Sequence, residues 1–148
     1  MIKINSVIGY WEHYTSILHQ ALTSIDRRAL QVAFDTLFHA YHQGNKVFIC
    51  GNGGSAADAQ HLAAEFLIRL KPDINREPIP AIALAQDTST ITACGNDYKF
   101  QDHFARILYA LGDKNDVLIV ISTSGNSKNI INVLRQAKKK NFFYWFFR

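Results

Sequence analysis

The stretch from Phe48 to Leu70, FICGNGGSAADAQHLAAEFLIRL, joins an apolar run, a glycine-rich turn and an amphipathic segment without interruption. The run from Lys46 to Cys50 is rich in the β-branched and aromatic residues of a buried strand. Gly51 to Gly54 can adopt backbone angles closed to other residues, and Ser55 is a good N-cap residue. The stretch therefore predicts a strand, a tight turn and a helix that begins at Ser55.

The predicted turn is a candidate anion site. The first N–H groups of a helix have no partner within the helix, and the positive end of the helix dipole points the same way. A phosphate or carboxylate at Gly53, Gly54 and Ser55 would therefore be bound favourably. A glycine-rich connection without any ligand explains the turn equally well, so this motif alone leaves both interpretations open.

The same predicted helix carries His61 and Glu65, which are four residues apart and therefore share one face. Both side chains can reach one ligand. A partly exposed helix pair without a ligand is the simpler explanation of the spacing by itself, and the nearness of the glycine turn is what favours a site. The face lies beside an apolar stripe formed by Ala59, Leu62, Ala63, Phe66 and Leu70.

Length and composition predict one globular domain over residues 1–148, with 48% hydrophobic and 19% charged residues. We divide it into N-terminal helices at 1–44, a βα core at 45–140 and an aromatic tail at 141–148. The net charge of +4 comes from 16 basic and 12 acidic residues, without a basic stripe interleaved with aromatics. We therefore expect an anionic metabolite as partner and no direct nucleic-acid binding.

The two cysteines, Cys50 and Cys94, are far apart and lie in stretches predicted to be buried. Reduced thiols in a cytoplasmic protein are the simplest account of them. We see no secretory leader, and no apolar run is long enough to span a bilayer, so no membrane partner is expected.

Helices and strands alternate along the rest of the chain. Apolar residues from Ile4 to Leu22 recur with the helical period, and a second helix restarts after Ser24 and Asp26 and ends near Gly44. The remaining predictions are a surface loop at Lys71 to Pro80, a strand at Ala81 to Leu84, a helix starting at Asp87 or Thr88, a turn at Cys94 to Tyr98, a helix at Gln101 to Leu111, a strand at Asp116 to Ser122 and a helix at Lys128 to Lys140.

The strand predicted at Asp116 to Ser122 runs directly into a second candidate anion loop, STSGNS, at Ser122 to Ser127. Hydroxyl donors stand there beside the N–H groups of the following helix. A Ser/Thr-rich loop that only caps its helix is the alternative. Two such loops at the carboxyl ends of strands in one sheet favour a ligand, because ligands of open α/β sheets bind at that edge.

Four motifs in order, GNGGSAADAQH with Glu65, DTST from Asp87, GNDY from Gly95 and STSGNS, resemble the sugar-isomerase (SIS) domain family. The resemblance runs to about Lys140. It implies a flavodoxin-like three-layer sandwich with a parallel sheet behind two N-terminal helices, and a homotetramer. It also implies isomerisation of the seven-carbon ketose sedoheptulose 7-phosphate to an aldose, in bacterial synthesis of the lipopolysaccharide core.

The resemblance also implies roles for individual residues. His61 and Glu65 would bind zinc or another divalent metal, and both would be catalytic, with Glu65 moving a proton between C1 and C2. A positioned carboxylate and an electrophile suit that chemistry, because the proton beside a carbonyl is weakly acidic. The residues implied to bind substrate are Asn52, Gly53, Gly54, Ser55, Glu65, Asn96, Asp97, Ser122, Thr123, Ser124 and Ser127.

The resemblance stops after Lys140, where the family continues with a strand and a helix that bears a Gln and a His of the site. Here six consecutive aromatic residues, Phe142 to Phe147, precede Arg148. We expect that the last strand and the C-terminal helix are missing, through a truncation or a frameshift at the A-rich codons of Lys138 to Asn141. The metal would then lack ligands, and the short chain could be inactive, poorly soluble or both.

Two other functions share the fold. One is a non-catalytic SIS protein that serves as a binding platform for the replication initiator, and the other is a sugar-phosphate-sensing module. The presence of His61, Glu65 and an intact STSGNS loop favours chemistry over both.

Overall fold

The computed structural model of the chain describes residues 6–147. It divides into two units, Met1–Phe34 and Asp35–Arg148. The first holds helix α1 (Val7–Thr23), which Ser6 caps by accepting a hydrogen bond from the Gly9 N–H at 3.0 Å. The predicted end of this helix is confirmed to within one residue, whereas its predicted start at Ile4 lies outside the described residues.

Helix α2 (Arg27–His42) begins in the first unit and ends in the second. Asp26 Oδ1 accepts hydrogen bonds from the Arg28 and Ala29 N–H groups at 2.8 and 3.2 Å, which confirms the predicted restart. No helix among the described residues is long and apolar enough to cross a bilayer.

The second unit is built on a parallel four-stranded sheet. Its strands are β1 (Val47–Cys50), β2 (Ala81–Ala83), β3 (Val117–Ile121) and β4 (Phe143–Phe147), in the order β2-β1-β3-β4. The first residues of the strands are in register, since Val47 pairs with both Ala81 and Val117. This is the strand order of a flavodoxin-like sheet, so the predicted fold class is confirmed.

Helices cover both faces of the sheet. The β1 residues Val47 and Ile49 pack in a core with Ala59 of α3 (Gly54–Leu67). Phe48 of β1 points to the other face, where a second core joins it to residues of two further helices. These helices are α5 (His103–Leu111) and α6 (Lys128–Lys139). Alternate residues of a strand point to opposite faces of the sheet. Because β1 and β3 are apolar throughout, they provide buried side chains to the helices on both faces, which gives the three-layer sandwich.

The amino-terminal edge of the sheet is anchored by the buried carboxylate of Asp116. Its oxygens accept hydrogen bonds from the N–H groups of Lys46 and Asp113, both at 2.8 Å. The Lys46 ammonium lies 2.9 Å from Asp113 and 3.2 Å from Asp116, and the hydrogen bond to Asp113 raises the pKa of Lys46. These contacts tie the starts of β1 and β3 together. The carboxyl-terminal edge of the sheet is the edge at which ligands of open α/β sheets bind.

Helix α4 (Thr88–Asp97) corrects the prediction of a turn at Cys94 to Tyr98. Asp87 caps this helix as predicted, because its carboxylate accepts hydrogen bonds from the Ser89 and Thr90 N–H groups at 3.0 and 3.2 Å. The helix then continues through the Gly-Asn-Asp sequence and buries Cys94. Packing of that side chain outweighs the local turn preference of its neighbours. A short 3-10 turn, Phe100–Asp102, leads into α5.

The expectation that the last strand is missing is wrong, because the aromatic tail forms β4. All five residues of β4 pair in parallel with β3, from Phe143 beside Val117 to Phe147 beside Ile121. Phe142 is buried in the core of the α5–α6 face, and Trp145 packs against the core of the other face. β4 is an edge strand in which only Trp145 is partly buried. Its aromatic residues have a high strand propensity, and pairing with β3 outweighs the missing alternation.

Both cysteines are free and buried, as the sequence predicts. Burial raises the pKa of the Cys50 thiol to about 12. Cys50 is therefore a thiol at neutral pH, which removes it from the candidate nucleophiles.

Candidate functional site

The two candidate anion loops meet at the carboxyl-terminal edge of the sheet. The glycine loop, Gly51–Gly53, follows β1, and the serine loop, Ser122–Ser127, follows the neighbouring strand β3. The Asn52 amide donates to Asn129 Oδ1 at 3.1 Å, and the Asn129 amide donates back to Asn52 Oδ1 at 2.7 Å. These bonds join the glycine loop to the first turn of α6, directly after the serine loop, so the two loops lie side by side as their placement in the sequence predicted.

Two glycines shape the glycine loop. At Gly51 a Cβ atom would lie 2.5 Å from the Ser55 carbonyl oxygen, and Gly53 has φ +58°. The chain therefore turns so tightly that α3 begins at Gly54 with Gly53 as its N-cap residue, which corrects the predicted cap at Ser55. The Ser55 N–H donates to the Asn52 carbonyl at 3.1 Å, inside the turn.

The serine loop is held by its own hydroxyls. Ser122 Oγ accepts from the Gly125 N–H at 3.2 Å, and Ser124 Oγ accepts from the Asn126 N–H at 3.3 Å. Ser127 is the N-cap residue of α6 but forms no side-chain cap hydrogen bond. The Ser127 hydroxyl at the start of α6 is therefore available to a ligand. Thr123, earlier in the loop, is exposed.

An open cleft of about 600 Å³ lies where the loops meet. It contains two lysines and no acidic residue, so its charge suits an anion. The 3-10 turn, Phe100–Asp102, supplies part of the cleft wall, which the sequence analysis did not predict. Lys99, directly after the GNDY motif, is the residue that could have indicated an anion site there. The lining residues are Asn52, Gly53, Lys99, Phe100, Gln101, Ser127, Lys128 and Asn129.

His61 and Glu65 line a different pocket, of about 500 Å³, on the α3 face of the sheet. His61 Nε2 lies 3.3 Å from Glu65 Oε1, and the two side chains are 77% and 24% exposed. The pocket also contacts Ile121, the residue before the serine loop. The pocket also contacts Ile79, which precedes β2, so it runs along the α3 face between the two ends of the sheet. The structure does not bring the predicted pair into the cleft.

Glu65 Oε2 is buried and has no hydrogen-bond partner among the described residues. An orphaned carboxylate oxygen beside an imidazole suits a cation or a proton donor. However, residues 6–147 contain no group of three or more His, Cys, Asp or Glu side chains that could hold a metal ion. His61 and Glu65 alone therefore do not complete a zinc site, which takes three or four protein ligands.

Arg76, which the sequence analysis overlooked, holds the end of α3 beside Glu65. Its guanidinium donates to the Glu65 carbonyl, and at 2.9 Å each to the carbonyls of Phe66 and Glu77. The last carbonyls of a helix lack partners within the helix, and an arginine there also complements the helix dipole. Arg76 lines the same pocket as His61 and Glu65, so it brings a positive charge to that site.

Asn96 and Asp97 are not part of the cleft. The Asn96 amide donates to Asp97 Oδ1 at 2.7 Å, and both side chains are exposed at the end of α4. Asp97 lines a separate pocket of about 280 Å³ between α4 and α5, together with His103 and Arg106. The continuation of α4 through the predicted turn is what carries these two residues away from Asn52 and Ser127.

His103 is an unforeseen feature of that pocket. It is only 1% exposed, and neither ring nitrogen has a hydrogen-bond partner among the described residues. Burial lowers the pKa of His103 because it disfavours the charged imidazolium, and the nearby Asp87 carboxylate opposes this in part.

We expect this imidazole to make the fold sensitive to acid. In the unfolded chain His103 takes up a proton near its ordinary pKa of about 6.5, whereas the folded protein keeps it neutral to lower pH. The neutral His103 therefore contributes fully to the free energy of unfolding above about pH 6.5. This contribution is lost as the pH falls, by at most about 1.4 kcal/mol per pH unit. Urea unfolding of wild type and His103→Leu from pH 8 to pH 5 measures it.

The His103→Leu variant should lose less unfolding free energy on acidification than wild type. Replacing the exposed His19 by glutamine is the matched control and should keep the wild-type acid sensitivity. Equal pH dependence in His103→Leu and wild type would contradict the assignment.

Comparison with known proteins identifies a family model and several relatives that the chain resembles. A family model described as SIS domain matches residues 9–142. A phosphoheptose isomerase of Shewanella loihica is 45% identical over 131 residues, which cover 85% of this chain and 66% of that protein. One from Campylobacter concisus is 54% identical over 111 residues, covering 75% and 56%. The chain thus spans about three-fifths of the length of these curated relatives.

Two solved structures have the same fold. A phosphoheptose isomerase from Francisella tularensis superimposes with a TM-score of 0.87 at 34% identity, over 99% of this chain and 75% of that one. One from Neisseria gonorrhoeae gives 0.83 at 36% identity, over 95% and 71%.

Proposed function

Because this chain belongs to the SIS domain family, we propose that it converts a ketose phosphate to the aldose phosphate. We propose sedoheptulose 7-phosphate as the substrate and D-glycero-D-manno-heptose 7-phosphate as the product, which would supply heptose for the lipopolysaccharide core. The relatives named above are phosphoheptose isomerases, and this name supports the choice of a seven-carbon sugar.

The observation that carries the proposal is the joining of the two loops. Asn52 of the glycine loop is hydrogen-bonded to Asn129 in the first turn of α6, directly after the serine loop, and the cleft there carries Lys99 and Lys128. Two helix N-termini and two ammonium groups attract a phosphate monoester, with the Ser127 hydroxyl as a further donor. In this proposal the phosphate binds at the serine loop, and the sugar extends along the glycine loop.

Glu65 is the proposed base. Isomerisation removes a proton from C1 of the ketose, forms an enediolate across C1 and C2, and returns a proton to C2, while the hydroxyl proton passes between the two oxygens. Glu65 suits this role because one carboxylate oxygen is buried without a partner. Arg76 and His61 line the same pocket and would supply the positive charge that an enediolate needs.

Zinc remains a proposal in which His61 and Glu65 provide two of the ligands.

We also propose a homotetramer in the cytoplasm. The tetramer is supported by α1, which has no buried residue. Its exposed large apolar side chains are Val7, Ile8, Tyr10, Trp11, Tyr14, Ile17, Leu18 and Leu22. Apolar surface of this extent favours association with another copy.

A sugar-phosphate sensor is the second candidate. It is favoured by one observation, namely that His61 and Glu65 line a pocket separate from the phosphate cleft. A module of this kind would bind the ligand at the two loops without turning it over.

The test is to incubate the purified chain with sedoheptulose 7-phosphate and follow aldose formation, with and without a chelator. Turnover that a chelator abolishes would support an isomerase with a bound metal, and turnover that a chelator leaves unchanged would support an isomerase without one. Saturable binding measured by calorimetry without turnover would support the sensor, and absence of both would support a non-catalytic platform. A Lys99→Gln/Lys128→Gln variant should bind at least about tenfold more weakly.

A further inference from the structure

We propose that Asn129 is a positioning residue, which fixes the glycine loop against the serine loop through Asn52 and so holds the phosphate cleft in its binding geometry. This inference rests on the proposed function. It assigns a role to a side chain that none of the sequence motifs singled out.

The hydrogen bonds fix the orientation of both amides. Asn129 Oδ1 accepts from the Ile130 N–H at 3.0 Å as well as from the Asn52 amide. Because only the oxygen of Asn129 can accept, its nitrogen must be the atom that donates to Asn52 Oδ1. Asn129 is 3% exposed, so water does not readily replace these partners. The pair therefore has one arrangement.

The pair links parts of the chain that no strand pairing joins. The register between β1 and β3 ends with Cys50 beside Val120, and both loops lie beyond that point. Asn52 and Asn129 are 77 residues apart in the chain. Their two hydrogen bonds therefore hold β1 and β3 together beyond the last paired residues, where both asparagines line the cleft.

The same bonds engage both polar atoms of the Asn52 side chain. Its oxygen and its nitrogen both bind Asn129, and one N–H and one lone pair of the amide remain for other partners. In this proposal Asn52 and Asn129 act on the ligand through the spacing of the two loops. Loss of either side chain should weaken phosphate binding by a similar amount, and loss of both should do little more.

The test is a double-mutant cycle on the full chain with Asn52→Ala, Asn129→Ala and the double variant. Dissociation constants for inorganic phosphate and sedoheptulose 7-phosphate are measured by calorimetry at fixed salt, alongside urea unfolding. Hydrogen exchange is followed at the amides of residues 53–55 and 127–130. Asn129→Ser, which keeps an acceptor for the Ile130 N–H, is the second variant if Asn129→Ala does not fold.

We expect each single variant to bind both probes about tenfold more weakly, and the double variant no worse than about twofold below the weaker single. Amide exchange should quicken in both loops for either single variant. Asn45→Ala is the matched control, since Asn45 links the loops that precede the same two strands, β1 and β3, by a 3.5 Å hydrogen bond to the Lys114 carbonyl. Its affinities should equal those of wild type.

Affinity of Asn129→Ala within twofold of wild type, with only a lower unfolding midpoint, would overturn the proposal and leave a structural role. Independent, additive losses in the two single variants would also overturn it. If wild type binds neither probe, the proposed function fails. Hydrogen exchange then tests whether the Asn52–Asn129 pair couples the two loops. Coupled exchange in the two loops would support the link, and uncoupled exchange would overturn it.

Discussion

Replacing Glu65 by glutamine is expected to lower turnover of sedoheptulose 7-phosphate at least about a hundredfold, while its dissociation constant stays near that of wild type. Glutamine has nearly the same shape but cannot accept a proton from carbon. The carboxylate oxygen Oε2 is buried without a partner among the described residues, so in the proposed reaction it is free to accept the proton from C1. Aldose formation and deuterium uptake at C2 in heavy water measure the effect.

Glu77→Gln is the control for this change. Glu77 is exposed and follows Arg76 directly, so the variant removes one carboxylate near the same segment without touching the proposed base. Its turnover should match wild type. Turnover retained in Glu65→Gln would rule out Glu65 as the base and would direct attention to another group of the same pocket.

Gly51→Ala is expected to be the most destabilising single substitution in the glycine loop, by about 3 kcal/mol. Its Cβ atom would lie 2.5 Å from the Ser55 carbonyl oxygen and 2.6 Å from Ser55 Cβ. Because the oxygen belongs to the backbone at the start of α3, relief would require the whole helix to shift. Thermal unfolding should show a midpoint lower by roughly 6–12 °C.

The matched control is Gly95→Ala within α4. A Cβ atom at Gly95 meets no atom within 4 Å, and alanine favours a helix interior, so stability should stay equal or rise by about 0.5–1 kcal/mol. Comparable losses in both variants would show that the close approach at Gly51 does not matter.

Local signals in the sequence were sufficient for the elements that surround the site. The continuous apolar runs before Gly51 and Ser122 predicted β1 and β3, and the loops that follow them predicted the ligand edge. Periodicity predicted α3, α5 and α6 to within a few residues. These features depend on neighbours along the chain, which is why residue order alone determines them.

Other features depended on contacts between distant residues. Pairing with β3 turned the aromatic tail into a strand, and burial of Cys94 extended α4 through a sequence typical of a turn. That extension carried Asn96 and Asp97 away from the cleft and left Lys99 in their place.

The sequence by itself determined a parallel α/β sheet with a glycine loop and a serine loop at one edge. Only the tertiary structure decided which side chains meet there. It placed Asn52 against Asn129, 77 residues away, and put His61 and Glu65 in a neighbouring pocket. The reason is physical: helical period and turn chemistry act over a few residues, whereas the packing of α3 and α6 on opposite faces of the sheet sets the direction of each side chain.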